Sequence, residues 1–314
     1  MRVGPWARLA LAPVLLLAVL WTVDLRAVGQ QLAQASPGWL LAGLACSVLS
    51  NLASAWRWCA LVRWLGHGLA WRQAQRLYFQ AMAISALVPG AVVGGDVFRA
   101  VALRRSGQGA LEAGLSVLLD RLSGLWMLWV LAALAAAWGM AADGVDAWSS
   151  LGLGWTPGAM LTLAGALVLA PALALLALRR TARGDAEAPI WRQRVHQIAQ
   201  RDRGGREYLR QLVASLVVQV LSVGALACAG QGMGLELPYW SYAVAAAPTF
   251  LMAALPISFG GWGTREAAAA LSLGVFGVAA PAAVAVSVLY GLMGLVQALL
   301  GAMLLARPAS NRPR

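Results

Sequence analysis

Six stretches of the chain are apolar over the length that a helix needs to cross a lipid bilayer, about 20 residues. Two more apolar stretches, residues 77–105 and 240–280, are interrupted by Pro and Gly. The six uninterrupted candidates are residues 8–24, 38–62, 111–138, 156–178, 208–231 and 282–306. Helices satisfy their backbone groups internally, as a bilayer demands. The pattern therefore predicts an all-α integral membrane protein with about six spanning helices.

The composition agrees with this prediction. Hydrophobic residues make up 61% of the chain and charged residues 11%, against about 25% charged in an average soluble domain. The net charge is +12, and every basic residue is an arginine. Basic residues collect in cytoplasmic loops, where they fix topology and meet anionic lipid headgroups. We therefore expect membrane lipids with anionic headgroups as partners, and no nucleic acid.

The charged loops predict the orientation of the spans. Residues 57–76, 99–105 and 179–207 and the C-terminal tail are rich in arginine, whereas the loop at 139–155 has acidic charges and no basic residue. This alternation holds if both interrupted segments are re-entrant hairpins, each entering and leaving the bilayer on one side. Both termini would then be cytoplasmic. The alternative is that one or both interrupted segments cross the bilayer fully.

The two interrupted segments resemble each other. Each contains a Pro, then a Gly-Gly pair, then an Arg four residues after the second Gly. These residues are Pro89, Gly94, Gly95 and Arg99 in the first segment, and Pro256, Gly260, Gly261 and Arg265 in the second. With three spans and one hairpin each, residues 1–138 and 139–314 are predicted to form inverted repeats, a common plan of transporters. The alternative is a chance match in a chain rich in Gly and Ala.

Pro and Gly break the helical hydrogen-bond ladder, and inside a bilayer such breaks survive only when buried in protein or lining a wet cavity. Helix N-termini attract anions, and the guanidinium fork suits phosphate. We therefore interpret Arg99 and Arg265 as two phosphate-binding sites, each about one turn into a half-helix and each reachable from a different leaflet. Alternatively, Arg99 is a topology charge at the cytoplasmic surface, or Asp96 and Glu266 neutralise the two arginines in structural ion pairs.

Further charges lie within apolar sequence. Asp120 and Arg121 are inside a long apolar helix, where ionisable residues are costly and indicate function by default. Neighbours on a helix point about 100° apart, so these two need not pair, and Asp120 could meet Arg99 or Arg57. The alternative is that they extend to the membrane surface. Arg57 is a candidate headgroup contact, and we interpret the two tryptophans that flank it as interfacial anchors.

No catalytic or metal-binding motif stands out in the sequence. The nucleophile elbow and the phosphate-binding loop of nucleoside triphosphatases are absent, and the three cysteines and two histidines are isolated from one another. We therefore expect a protein that is not an enzyme and that has no cofactor and no metal. The arginine-rich loop 179–207 is predicted to form an amphipathic or disordered segment at the membrane surface.

Four motifs in order resemble the flippase-like transmembrane domain of the lysylphosphatidylglycerol synthase family, over about residues 8–305. They are Arg57-Trp58, the segment from Pro89 to Arg99, the segment from Ser116 to Arg121, and Pro256 through Gly260-Gly261 to Arg265-Glu266. The resemblance implies a lipid-translocating domain of a bacterial cytoplasmic (inner) membrane. No aminoacyl-transferase domain accompanies it, so we expect a stand-alone member that does not synthesise lysyl-lipid. The family often has a Tyr-Arg pair in the last span, where this chain has Tyr290-Gly291.

The leading hypothesis is a flippase or scramblase that moves an anionic or phosphate-linked lipid, with the two hairpins gating access. The candidate substrate-binding residues are Arg57, Asp96, Arg99, Asp120, Arg121, Arg265 and Glu266. The alternative is a non-transporting membrane scaffold that docks a cytoplasmic lipid-modifying or biosynthetic enzyme through loop 179–207. A third hypothesis, a membrane-embedded transferase, would use one of the three acidic residues as a base.

Overall fold

The computed structural model describes residues 30, 33–87, 92–143, 155–181, 193, 197–255 and 261–306 of the chain. These residues form α-helices joined by short connections, which confirms the all-α prediction. The helices are α1 (Pro37–Trp64), α2 (Trp71–Leu87), α3 (Val92–Arg105), α4 (Ala110–Asp143), α5 (Pro157–Thr181), α6 (Gly204–Gly232), α7 (Tyr239–Ala254), α8 (Thr264–Gly274) and α9 (Ala280–Ala306).

Five of the described helices, α1, α4, α5, α6 and α9, are long and apolar enough to cross a membrane. They coincide closely with five of the six predicted spans, and the sixth, residues 8–24, lies outside the described residues. Few residues of α5 are fully buried, and its exposed side chains include Leu161, Leu169 and Leu173. Such an apolar exterior is what a helix at the lipid boundary requires, because the surrounding solvent is hydrocarbon.

A proline in α5 explains how this outer helix is attached. Pro171 has no backbone N–H, so the carbonyl of Leu167, four residues earlier, lacks its helical partner. The indole Nε1 of Trp126 in α4 donates to that carbonyl at 2.6 Å. The hydroxyl of Tyr208 in α6 donates to the next carbonyl, that of Val168. Pro171 therefore frees one acceptor, the carbonyl of Leu167, and the bonds to Leu167 and Val168 together hold α5 to α4 and α6.

Each interrupted segment folds back on itself as two packed helices, α2 with α3 and α7 with α8. In the second pair, the hydroxyls of Thr249 and Ser272 are 3.2 Å apart, although the two residues lie on opposite sides of the connection. Gly261, which lies in that connection, has a φ of +86°, a conformation that suits glycine. Position in the bilayer, and hence re-entry from one side, stays a prediction. Pro89, Pro256 and Gly260 lie outside the described residues.

The prediction that Gly94 and Gly95 break the first hairpin is wrong, because both lie inside α3 near its beginning. Gly95 instead allows α3 to approach α2 closely. A Cβ on Gly95 would collide with the carbonyl of Ala81 and the hydroxyl of Ser85 in α2. Small residues at helix interfaces let backbones approach in this way, which is the usual basis of helix packing in membranes.

The contacts between helices follow a two-fold pattern. Helix α1 packs on α6, the hairpin α2–α3 packs on α9 and α4, and the hairpin α7–α8 packs on α4 and α9. When α1, α2, α3 and α4 are exchanged for α6, α7, α8 and α9, in that order, the same pairs of helices remain in contact. Helix α5, which packs on α4, stands outside this exchange. An inverted repeat would produce this exchange. The division into residues 1–138 and 139–314 stays a prediction.

Candidate functional site

A cavity of about 380 Å³ lies between the two hairpins and the helices α1, α4, α6 and α9. Four arginines and two aspartates line it, which gives these lining residues a formal charge of +2. They are Arg57, Asp96, Arg99, Asp120, Arg121 and Arg265. The sequence predicted two phosphate-binding sites, one for each leaflet. In the structure Arg99 and Arg265 border the same cavity, and access from the two leaflets stays a prediction.

Asp120, on α4, is the centre of the larger charged cluster. Its Oδ1 accepts from Nε of Arg57 at 3.0 Å and from Nη2 at 2.9 Å. Its Oδ2 accepts from Nη1 of Arg99 at 2.8 Å. The side chain of Asp120 is 2% exposed, and those of Arg57 and Arg99 are 4% and 3% exposed. The expectation that Asp120 meets Arg99 or Arg57 is therefore fulfilled twice, since one carboxylate holds both.

Arg57 reaches this cluster from α1 and is held on every side. Besides its two bonds to the carboxylate, Nη2 donates to the backbone carbonyl of Asp120 at 2.9 Å, and Nη1 donates to the hydroxyl of Ser215 in α6 at 3.1 Å. All three guanidinium nitrogens therefore have acceptors. In this arrangement Arg57 joins three helices, and four of its five N–H donors have protein acceptors.

Arg99 is enclosed by acceptors and aromatic rings. Its Nη2 donates to Asp96 at 2.8 Å, while the rings of Trp58 and Tyr78 have their centroids 4.9 and 4.8 Å from the guanidinium carbon. Cation–π contacts strengthen when the pair is desolvated, as here. Arg99 is thus not a surface topology charge, and that alternative is wrong. Trp58 is fully buried, so its interpretation as an interfacial anchor is also wrong.

Arg121 is the most accessible arginine of the cavity, with 40% of its side chain exposed. Its Nε donates to Oδ2 of Asp96 at 2.8 Å. Asp96 therefore bridges Arg99 and Arg121, and its own side chain is 20% exposed. As expected from helical geometry, the neighbours Asp120 and Arg121 point to different partners. The charged cluster consequently runs from a dry interior at Asp120 to a more open edge at Arg121.

The second cluster is built on the first turn of α8. Arg265 donates from Nη2 to Oε1 of Glu266 at 2.7 Å, and its guanidinium carbon lies 4.6 Å from the ring centroid of Trp262. The hydroxyl of Ser287 in α9 donates to the same Glu266 oxygen at 3.0 Å and accepts from Nε of Arg265 at 3.1 Å. The predicted structural ion pair between Arg265 and Glu266 is therefore present.

The N-terminus of α8 already has an anion of its own. Oε2 of Glu266 accepts from the backbone N–H of Gly263 at 2.6 Å, which caps the first turn. The idea that a lipid phosphate binds this helix end through free amides is thus not supported. For the first hairpin, Arg99 lies about two turns into α3, beyond the single turn that the sequence suggested.

Gly291 of α9 explains how Arg265 fits beside the cavity. A Cβ at this position would collide with the guanidinium group of Arg265. The neighbouring Tyr290 stacks on Phe250 with ring centroids 4.9 Å apart. An arginine after Tyr290, as the resemblance led us to expect, would require the space that Arg265 fills.

The remainder of the cavity is mixed in character. Polar side chains of Asn51, Ser54, Gln219 and Ser222 lie on α1 and α6, and apolar ones come from several helices. The apolar lining includes Met82, Leu125, Leu128, Phe250 and Leu295. A cavity with a cationic cluster and an apolar wall suits an amphiphile with an anionic headgroup. Among the residues that the structure describes, no group of three or more His, Cys, Asp or Glu side chains is placed to hold a metal ion.

Sequence reasoning missed several residues that complete these clusters. Trp58 and Tyr78 enclose Arg99, Trp262 lies against Arg265, and Ser215 accepts from Arg57. Aromatic residues and serines are ordinary in membrane helices, so their type alone carried no signal. Ser287 had a usable signal, because Ser287-Val288-Leu289 repeats the letters of Ser116-Val117-Leu118.

Two comparisons with known proteins bear on these observations. The family model described as the lysylphosphatidylglycerol synthase TM region matches residues 6–301, nearly the whole chain. A search of curated proteins finds no match.

Proposed function

Because the chain belongs to the lysylphosphatidylglycerol synthase transmembrane family, we propose that it moves a lipid with an anionic or phosphate-linked headgroup across the cytoplasmic membrane. It would act as a flippase or scramblase. The observation that carries this proposal is the convergence of four arginines from four helices on one partly apolar cavity. Ionisable side chains are rare within membrane-spanning segments, and where they occur they commonly line substrate pathways.

The arginines are not equivalent in this proposal. Arg57 and Arg99 are nearly inaccessible, and their hydrogen bonds go to Asp120 and other protein acceptors. Arg121 is 40% exposed and lies at the open edge of the cluster. We therefore assign first contact with the headgroup to Arg121. Arg265, across the cavity, takes part when the headgroup moves inward, and its planar fork suits phosphate oxygens.

The carboxylate of Asp96 also takes part in this mechanism. Asp96 links Arg121 to Arg99, so a phosphate that replaces Asp96 at Arg121 leaves the carboxylate with Arg99 alone. The charge of the headgroup is thereby compensated before it leaves water, which lowers the penalty for burying an ion. The apolar lining of the cavity would accompany the upper part of the acyl chains.

The test is translocation of fluorescent lipid in proteoliposomes, with phosphatidylglycerol compared with phosphatidylcholine. We expect wild-type protein to move phosphatidylglycerol, and Arg121→Gln and Arg265→Lys to move it at least about tenfold more slowly, since losing one charge-assisted hydrogen bond corresponds to about 1.5–3 kcal/mol. Arg104→Gln is the matched control, because Arg104 is exposed on α3 and does not line the cavity.

Two outcomes would count against the proposal. Well-folded wild-type protein that moves no lipid of several anionic classes would favour the scaffold hypothesis. Equal rates for wild type and for the Arg121→Gln, Arg265→Lys double variant would remove the cavity from the path. The scaffold hypothesis has no specific observation in its favour, since two described arginines of loop 179–207 bind the protein's own backbone. Arg179 donates to the carbonyl of Ala199, and Arg201 donates to that of Trp64.

A further inference from the structure

A groove of about 490 Å³ lies on the outside of the protein, between α1 and α6 and away from the charged cavity. Its lining is apolar except for two arginines. The lining residues are Ala53, Trp56, Arg206, Leu209, Arg210, Val213, Ala214 and Val217. Nothing in the proposed transport mechanism uses these residues.

The groove has a charged end and an apolar end. On α6 the sequence positions 206, 209/210, 213 and 217 recur every three or four residues, so they share one face. Arg206 and Arg210 lie in the first two turns of α6, which begins at Gly204. The rise from Arg206 to Val217 is about 16 Å, close to half of the ~30 Å hydrocarbon thickness of a bilayer. The groove thus has the length of one leaflet.

Helix α1 forms the second wall and runs antiparallel to α6. Gln211 donates to the carbonyl of Arg57, and Ser50 donates to the carbonyl of Val218. Trp56 therefore lies beside the arginine end of the groove, and 46% of it is exposed. Tryptophan prefers the headgroup level of a membrane, which places the arginine end at the interface and the valine end towards the bilayer centre.

The positive charge at this end is not fully compensated by the described part of the protein. No described residue forms a hydrogen bond or ion pair with the exposed Arg206. Arg210 donates from Nη1 to Glu207 at 2.7 Å, but its side chain is 38% exposed, and a guanidinium has five N–H donors. Glu207 is itself buried and also accepts from Gln211 at 2.8 Å. An anion at the interface would therefore meet two arginines one turn apart.

We propose that this groove binds one phospholipid with an anionic headgroup, as a resident lipid that is separate from the transported one. The phosphate contacts Arg206 and Arg210, and one acyl chain lies along Leu209, Val213 and Val217. The charge of the arginines complements the headgroup, and the length of the apolar part matches one chain in one leaflet. The proposal is independent of the transport function, since the groove and the cavity share no lining residue.

Native mass spectrometry of delipidated full-length protein tests the proposal, with phosphatidylglycerol and phosphatidylcholine of identical chains as probes. Wild-type protein should retain phosphatidylglycerol in preference to phosphatidylcholine. Arg206→Gln with Arg210→Gln should lower retention of phosphatidylglycerol at least about fivefold, since one basic residue near anionic lipid contributes roughly that factor. Val213→Trp should lower retention of both lipids, because the indole fills the path of the acyl chain.

Matched controls separate the groove from general effects. Arg104→Gln removes an exposed arginine elsewhere, and Val97→Trp enlarges a side chain that is 53% exposed on α3, against 51% for Val213. Both should behave as wild type. Unchanged retention in the Arg206, Arg210 double variant would overturn the proposal. Loss of retention in Arg121→Gln alone would also overturn it, because the lipid would then lie in the cavity. A wild-type dimer that Val213→Trp converts to a monomer would overturn it as well, because the groove would then be a contact between protein copies.

Discussion

Replacing Asp120 by Asn tests whether the charged cluster is a buried ion-pair network. The substitution keeps the shape of the side chain and removes its charge. In the native protein the carboxylate accepts three hydrogen bonds of 2.8–3.0 Å from Arg57 and Arg99, and all three side chains are at most 4% exposed. Removing one partner of a buried pair typically costs about 3–5 kcal/mol, because the other charge stays buried without compensation. Two arginines depend on Asp120, so we expect a loss in the upper half of that range.

The assay is unfolding in mixed micelles with increasing denaturing detergent, followed by a double-mutant cycle with Arg99→Gln. We expect the double variant to be less destabilised than the sum of the two single variants, because removing Arg99 relieves one of the uncompensated charges. Asp96→Asn is the comparison, and it should lose less stability because the Asp96 side chain is 20% exposed. A loss below about 1 kcal/mol for Asp120→Asn, the value of an exposed pair, would show that water solvates this site and would refute the reasoning.

Two further predictions concern single side chains at helix contacts. Gly291→Ala should slow lipid translocation about fivefold or more, since forcing the Arg265 guanidinium aside has the cost of overpacking, about 1–3 kcal/mol. The control is Gly294→Ala, one turn along in open space beside the same cavity, which should keep the wild-type rate. Equal rates for the two variants would contradict the role of Gly291. Trp126→Phe should lower the free energy of unfolding by about 1 kcal/mol, the contribution of a typical hydrogen bond, because the carbonyl of Leu167 loses its donor. Detergent-induced unfolding measures this loss, and an unchanged midpoint would show that the bond does not hold α5.

The spans could be predicted from sequence because hydropathy over 20 residues reflects the solvent directly. The charged site residues could be found for a related reason. Asp120, Arg121 and Arg57 stand out against apolar neighbours, whatever their partners are. All seven candidate residues lie at the two clusters, six of them on the cavity wall and Glu266 bonded to Arg265.

The rest could not be predicted, because it depends on contacts between helices distant in sequence. One cavity instead of two sites follows from the packing of both hairpins against α4 and α9. The burial of Trp58 depends on which face of α1 meets the hairpin, and periodicity is weak in helices that are apolar all round. Gly291 could be recognised only once Arg265 was seen beside it.

The two hairpins differ in how their arginines are anchored, and this has a mechanical consequence. Arg99 belongs to the first hairpin, but its most buried partner, Asp120, belongs to α4. Arg265 and its partner Glu266 are neighbours on the second hairpin. Sliding the first hairpin along α4 would pull two buried charges apart, at about 3–5 kcal/mol. When the second hairpin tilts, its ion pair travels with it, and among the described residues the hydrogen bonds of the pair that reach α9 are those to Ser287. The first hairpin is thus fixed to α4 by a buried ion pair, whereas the second hairpin contains both members of its own ion pair.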